Sequence, residues 1–362
     1  MSPLTLRAPE NAENTAFARN FCEEFLGGTR PTYVLGRNNF CESILENGVR
    51  VDGVIDDFTS ETSFHGIPVV NTDAVPKDAL VLSASSARPV TARKRLRDAG
   101  LAVLDYYAFR KHSSLPLADM LDVSQFPAEF EKNREKFETI YAMLEDEESR
   151  EVFRKLVNFR LSADLDFMEG FVLDEAAQYF EDFLDFRNEG ESFVDAGSYN
   201  GFSSLGFIKR CPNYASIHVF EPEPANYELC QKALAERPNI KFYKAGLSDK
   251  NETLFFVSDG TASRISDTGT SSIEVRRLDD TVDTPYSFLK MDIEGAEISA
   301  IRGAAGTIAE HHPRLAICVY HLADDFWKIP ETVFSIRSDY RIRIRHYSEG
   351  LIESVMYFLP VK

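Results

Sequence analysis

The chain has 362 residues, enough for two or three domains with a sizeable core, and its 44% hydrophobic and 27% charged content is that of a soluble globular protein. A formal net charge of −18 argues against a nucleic-acid backbone or an anionic membrane as the main partner. No apolar run reaches the ~18 residues of a membrane span. The polar stretch from Met1 to Asn20 lacks a signal core, and five scattered cysteines (Cys22, Cys41, Cys211, Cys230, Cys318) form no C-x-x-C pair. Free thiols in a reducing compartment, without zinc or disulfides, are expected, and the protein is read as cytoplasmic.

The first 118 residues read as a small Rossmann-like α/β domain. A helix over Thr15–Leu26 closes at Gly27-Gly28. Strands follow at Thr32–Gly36, Val51–Asp57, Ile67–Val70, Ala79–Ser83 and Leu101–Asp105, with helices over Asn39–Asn47 and Ala87–Ala99. This alternation implies a parallel sheet covered on both faces. The turn Gly36-Arg37-Asn38-Asn39 lacks the second and third glycines that let a backbone approach a pyrophosphate, although Asp56 or Asp57 could still hold a ribose. A structural or substrate-docking role is preferred over cofactor binding. Residues 51–57 and 66–69 weakly resemble the N-terminal sugar-nucleotide or acyl-donor recognition domain found ahead of some sugar-modifying transferases.

Residues 119–190 read as a helical connector. Phe126–Glu148 is charged, with Phe130, Phe137, Ile140, Tyr141 and Leu144 at helical spacing, and Ser149 is placed to cap the helix that continues over Glu151–Leu161. Tyr179, just before the next strand, either lies over a cofactor mouth or packs in the core.

Alternation resumes over residues 191–362. Five strands are expected at Phe193–Asp195, Ile217–Phe220, Ile240–Lys244, Ser287–Asp292 and Leu315–Tyr320, then an antiparallel hairpin of Arg341–His346 and Ser354–Leu359. Five parallel strands and a terminal hairpin describe the methyltransferase variant of the doubly wound fold, which binds ligands at the C-terminal strand ends. Asp195, Gly197 and Gly201 in Phe193-Val194-Asp195-Ala196-Gly197-Ser198-Tyr199-Asn200-Gly201 would bound the amino-acid half of a cofactor. Glu221, ending the second strand, would hold the ribose, and Ser248 and Asp249 would meet the adenine edge. The trio Arg341, Arg343 and Arg345 reads as the solvated face of a strand.

Several motifs in order resemble the FkbM family of S-adenosylmethionine-dependent methyltransferases: Phe193–Gly201, Phe220-Glu221-Pro222-Glu223-Pro224, Gly246-Leu247-Ser248-Asp249, Leu278-Asp279-Asp280 and Lys290-Met291-Asp292-Ile293-Glu294-Gly295-Ala296-Glu297. The connector segments Asp146–Arg150 and Asn158–Leu161, with Val319-Tyr320-His321 and Phe326–Pro330, resemble it too, so the likeness covers roughly residues 126–360. Gly246 departs from the alanine expected there. The resemblance implies O-methyl transfer to a hydroxyl of a sugar, glycan or secondary metabolite, with S-adenosylmethionine as methyl donor and a small-molecule or carbohydrate acceptor.

Candidates for handling the hydroxyl proton are Asp292, His321 and His346. Asp292 lies at a strand tip, His321 is a histidine whose ordinary pKa near 6.5 suits a base, and His346 ends a hairpin strand. Lys290 shares a strand side with Asp292 and would need it as a partner. Glu297, in the first turn of a helix, suits the helix dipole. Asp292, Glu294 and His321 could alternatively ligate a divalent ion, but metal independence is the preferred reading. The Ser-, Thr- and Gly-rich stretch Ser258–Ser272 reads as a mobile loop walling the acceptor, and Trp327 and Tyr347 as residues that either stack on a sugar or pack inside. The competing functions are a nicotinamide-dependent oxidoreductase using the first domain and a non-catalytic docking protein with a vestigial pocket.

Overall fold

The structure, a computed structural model, describes residues 6–121, 123–259, 262–265 and 271–361. Two compact units emerge. The first gathers Met1–Lys132, Glu151–Leu173 and Tyr347–Ile352, and the second Asn133–Arg150, Asp174–His346 and Glu353–Lys362.

In the first unit α1 (Ala12–Gly27) precedes β1 (Thr32–Leu35), α2 (Asn39–Glu46), β2 (Gly53–Ile55), β3 (Ser63–Phe64), β4 (Ile67–Val70), β5 (Leu80–Ser83), α3 (Pro89–Asp98), β6 (Ala102–Asp105), α4 (Tyr106–His112) and α5 (Phe126–Lys132). The sheet runs β3-β4-β2-β1-β5-β6 and is parallel except for the β3–β4 edge. Alternate strand residues feed two apolar clusters: Val34, Val54, Leu80 and Leu82 enter one, Leu35, Ile55, Val81 and Val103 the other. The acids at the tip of β2 are already engaged. Asp56 accepts from the Arg37 guanidinium at 2.7 Å, while Asp57 accepts from the Thr72 amide and hydroxyl at 2.6 and 2.7 Å and pairs with Arg95 at 2.9 Å.

The connector is not one helix up to Glu148. After α5 comes α6 (Arg134–Met143), and Leu144 is extended, bridging to Ile342, before α7 (Glu147–Ser162) begins. The cap also differs from expectation. Asp146 accepts from the Ser149 amide at 2.7 Å, whereas the Ser149 hydroxyl, inside the helix, accepts from the Ile344 amide at 3.1 Å. Asp146 and Glu145 explain the basic trio. Arg341 and Arg343 bind Glu145 at 2.6 Å each, and Arg345 binds Asp146 at 3.0 Å and is itself buried, so all three are ion-paired and only Arg341 remains on the solvated face expected for the trio.

The second unit carries β7 (Ser192–Ala196), α8 (Phe202–Arg210), β8 (Ser216–Phe220), α9 (Pro224–Leu234), β9 (Ile240–Tyr243), β10 (Gly246–Leu247), β11 (Glu252–Asp259), β12 (Ala262–Ile265), β13 (Ser271–Arg276), α10 (Leu278–Thr281), β14 (Phe288–Met291), α11 (Glu297–Gly303), α12 (Ala305–His311), β15 (Arg314–Cys318), α13 (Asp325–Ile336), β16 (Tyr340–His346) and β17 (Ser354–Pro360). Its main sheet has the order β16-β17-β15-β14-β7-β8-β9. The strands β9, β8, β7, β14 and β15 are mutually parallel, and β17 runs antiparallel to both β15 and β16. This is the expected five parallel strands plus hairpin. Strand order reverses between β7 and β14, so the cleft at their C-terminal ends is the natural ligand position. A second sheet, β10-β13-β11-β12, takes up much of the stretch expected as a loop from Ser258 to Ser272; residues 260, 261 and 266–270 of it lie outside the described residues. All five cysteines are free and buried.

Candidate active site

The turn after β7 is built around Asp195. Its side chain is fully buried, and Oδ2 accepts from the hydroxyls of Ser198, Ser203 and Ser204 at 2.9, 2.7 and 2.6 Å. Oδ1 lies 3.5 Å from the Lys290 ammonium. The carboxylate is therefore turned into the protein, where it clamps the glycine turn and the first turn of α8. The structure does not present it to a ligand, which corrects the expectation that it bounds the cofactor directly. Gly197 (φ +75°) is obligatory for a related reason: a Cβ there would sit 1.8 Å from the Asp292 carbonyl oxygen. Its close approach is to the end of β14. Gly201 (φ +84°) opens α8 in the left-handed region.

Glu221 stands at the tip of β8, buried. Its two oxygens accept from the backbone amides of Tyr199 at 2.8 Å and Glu223 at 3.0 Å, tying the glycine turn to the second strand. Burial outweighs these hydrogen bonds and raises its pKa. Ser248 is buried after β10, its amide on the Arg276 carbonyl, and Asp249 is half-buried. Gly246 fits its strand closely, since a Cβ would stand 3.3 Å from Val275 Cγ1.

The ends of β14 and β15 bring Lys290, Asp292 and His321 together. Lys290 is buried and donates to the carbonyls of Ala196 (3.1 Å) and Gly197. Burial disfavours its charge, but Asp195 and Asp292 outweigh burial and raise its pKa, so it is a fixed cation that ties β7 to β14. Asp292 accepts from two phenols, Tyr179 OH on Oδ2 at 2.8 Å and Tyr320 OH on Oδ1 at 3.1 Å. Burial would raise its pKa, but Lys290 and His321 hold it below the ordinary carboxylate value. Its side chain keeps 23% of its surface accessible where those of Lys290 and His321 keep 3% each. Asp292 is thus the member of this trio that is open to solvent.

The expectation of a histidine base titrating near 6.5 is corrected. Burial lowers the His321 pKa, but Glu297, then Asp292 and Glu294, surround the ring and push it up to about 10. Nδ1 lies 3.1 Å from Glu297 Oε1, and Nε2 lies 3.4 Å from Asp292 Oδ1 and 3.7 Å from Glu294 Oε2. Glu297 does more than face a helix dipole, because its Oε1 also accepts from the Ile293 amide at 2.9 Å. His346 is not brought to this group. It bonds the Ser354 hydroxyl at 2.8 Å, and β17 separates its strand from β15, placing it two strand spacings away, about 10 Å.

Tyr179 takes neither expected role alone. It is buried, with φ +69°, and its hydroxyl is spent on Asp292. Gln178 donates to that phenol at 2.9 Å and also to Glu353, whose carboxyl burial pushes up to about 7. Trp327 is buried, with the Lys136 ammonium 3.7 Å from its ring centroid, and Tyr347 is buried, so neither offers a free face for sugar stacking. Tyr320, Asp325 and Glu353 escape the sequence reading as site residues, and Glu297 enters it only as a structural helix-dipole residue. Only the adjacency of Tyr320 to His321 and of Asp325 to Phe326-Trp327 signalled two of them.

Residues 195–347 match the methyltransferase FkbM domain family. No curated protein matches by sequence. Among solved structures, a methyltransferase FkbM from Methylobacillus flagellatus KT superposes with a TM-score of 0.75 at 23% identity, covering 99% of this chain and 100% of that one, and so shares the fold. An rRNA methylase from Streptococcus thermophilus, at a TM-score of 0.35 and 13% identity over 50% of this chain and 93% of its own, is too distant to inform the site. The family match begins at Asp195, on which the glycine turn is built, and runs through the ends of β14 and β15; residues 195–347 form a methyltransferase FkbM domain.

Proposed function

We propose that the chain is an S-adenosylmethionine-dependent O-methyltransferase acting on a hydroxyl of a sugar, glycan or secondary metabolite. The observation that carries this reading is the adjacency of two sites at one strand reversal: the glycine turn closed by Glu221, and the ionised, partly accessible Asp292 next to it. The residues fit the cofactor. The turn holds two glycines in the left-handed region, and the Glu221 oxygens, each carrying one amide bond, keep lone pairs for ribose hydroxyls.

When bound, S-adenosylmethionine supplies an electrophilic methyl carbon whose transfer forms a C–O bond, breaks the C–S bond with its electron pair left on sulfur, and releases the hydroxyl proton. The chain's part is alignment and charge. Tyr179 and Tyr320 fix both oxygens of Asp292, and Lys290 and His321 keep it ionised, so that it accepts a hydrogen bond from the acceptor hydroxyl and orients the oxygen. Asp195 and Gly197 act through the turn as positioning residues. Ser248 and Asp249 are assigned to the adenine side.

Titration calorimetry of the full chain with S-adenosylmethionine and with its demethylated product tests the reading. Saturable heat is expected from both, and Glu221→Ala weakens binding at least about tenfold by removing a charged hydrogen-bond acceptor. Absence of heat with either compound refutes the cofactor. Transfer of labelled methyl to a nitrogen or sulfur acceptor in place of a hydroxyl refutes the acceptor class.

A further inference from the structure

The group around His321 holds more unpartnered polar atoms than any other part of the described second unit. His321 is 5% exposed, Glu297 1% and Asp325 1%. Both ring nitrogens of His321, Oε2 of Glu297 and Oδ1 of Asp325 are buried without a hydrogen-bond partner. The short His321 contacts to Glu297 and Asp292 are close in distance but not aligned as hydrogen bonds. A buried polar atom left in this state carries its full desolvation cost, so four of them in one cluster call for a partner. Three carboxylates, Asp292, Glu294 and Glu297, stand around this one imidazole.

We infer that this group binds a divalent transition-metal cation of the Mn²⁺ or Zn²⁺ class, through one nitrogen of His321, whose ring proton is released to solvent as the ion takes its place, and one oxygen each of Asp292 and Glu297. Those three ligand atoms lie within 4.8 Å of one another. Ligands about 2.1 Å from a common ion stand about 3.0 Å apart at right angles and about 3.4 Å apart in a tetrahedron, so small side-chain rotations close the sphere. The separation of Nε2 from Asp292 Oδ1, 3.4 Å, is already in that range, whereas Glu297 Oε1 lies 3.1 Å from the other ring nitrogen, Nδ1, so the imidazole or the Glu297 side chain turns to bring all three to one ion. Glu294 is 72% exposed with its Oε2 3.7 Å from Nε2, and it completes the set from the solvent side. One imidazole among carboxylates selects against a purely oxygen-seeking ion such as Ca²⁺ and favours first-row divalent metals. Asp325, whose other oxygen accepts from the Leu322 amide at 2.7 Å, lies behind the ligands as an orienting group.

An ion here would polarise a hydroxyl held at Asp292. That use rests on the methyl-transfer reading, whereas binding of the ion does not. Calorimetry with S-adenosylmethionine tests one, and the free-ion Mn²⁺ resonance signal tests the other. Tag-free full chain, stripped with chelator, is titrated with Mn²⁺, and Zn²⁺ is used as competitor. One site with a Kd below about 100 µM is expected. His321→Ala and Glu297→Gln should each raise it at least about tenfold. If neither variant folds, as judged by circular dichroism, Glu294→Ala decides, because its exposed side chain carries no packing: a Kd at least about threefold weaker supports the site. No saturable binding below about 1 mM, or a Kd unchanged in the variants that fold, overturns it.

Discussion

The ion pair beneath the glycine turn gives the sharpest test of how this site is held. Asp195→Asn keeps the shape and one oxygen for the three serine hydroxyls, but it puts an amide donor where Oδ1 now faces Lys290 Nζ at 3.5 Å. Both partners are buried, at 0% and 2% exposure, so solvent does not screen them. At an effective dielectric of 20, unit charges 3.5 Å apart attract by about 5 kcal/mol, and breaking a buried pair from one side costs about 3–5 kcal/mol. Asp292 and two carbonyls remain near the ammonium, which places Asp195→Asn toward the lower half of that range. Lys290→Met should cost about as much. The double variant removes both charges and should cost about 2–3 kcal/mol less than the sum. The assay is urea unfolding followed by the fluorescence of Trp327, the single tryptophan of the chain, which is buried in α13 and reports the second unit by itself. Additivity within about 0.5 kcal/mol would refute the pairing and leave Asp195 as a hydroxyl acceptor only.

Gly197→Ala should be worse than either single variant. The left-handed backbone costs ~1–2 kcal/mol for an L side chain, and a Cβ 1.8 Å from the Asp292 carbonyl must push β7 and β14 apart; an unchanged Trp327 unfolding midpoint would show that the strand ends are not in contact. Asp105 in the first unit caps α4 by accepting from the Ala108 amide at 3.0 Å, yet burial pushes its pKa up to about 6. A raised folded-state pKa means that stability falls as pH rises from about 4 to about 6, by up to ~3 kcal/mol for a shift of about two units. Asp105→Asn keeps the cap and removes that loss, so amide exchange in α4 should slow at pH 7.5 and match the parent near pH 4; equal protection at both pH values would sink the argument.

Why some of the site was legible and some was not follows from the range of the interactions. The glycine turn, Glu221 and Asp292 were visible because each sits at the end of an apolar run, and the doubly wound fold gathers such ends on one edge. Their partners were not. Asp195 looked like a ligand contact because nothing in the sequence says that three hydroxyls from residues 198, 203 and 204 fold back onto it. His321 looked like a base because its titration depends on Glu297 and Asp292, which pack against it only in the folded sheet. The same packing turns the metal, the lesser reading from sequence, into the occupant inferred above, since unpartnered buried atoms exist only in three dimensions.

By itself the sequence determined the local and periodic features: the order of the main-sheet strands of the second unit, the terminal hairpin, the lack of the dinucleotide glycines after β1, and the motif order of the FkbM family. These depend on residue type at short spacing, where backbone preference and apolar alternation act directly. Tertiary structure decided the rest. It broke the connector at Leu144 by pairing that residue with Ile342, fixed Arg341, Arg343 and Arg345 on the acids at 145 and 146, and spent the Tyr179 phenol on Asp292. Each of these joins residues more than a hundred positions apart, where desolvation and charge select the partner and no local pattern records the choice.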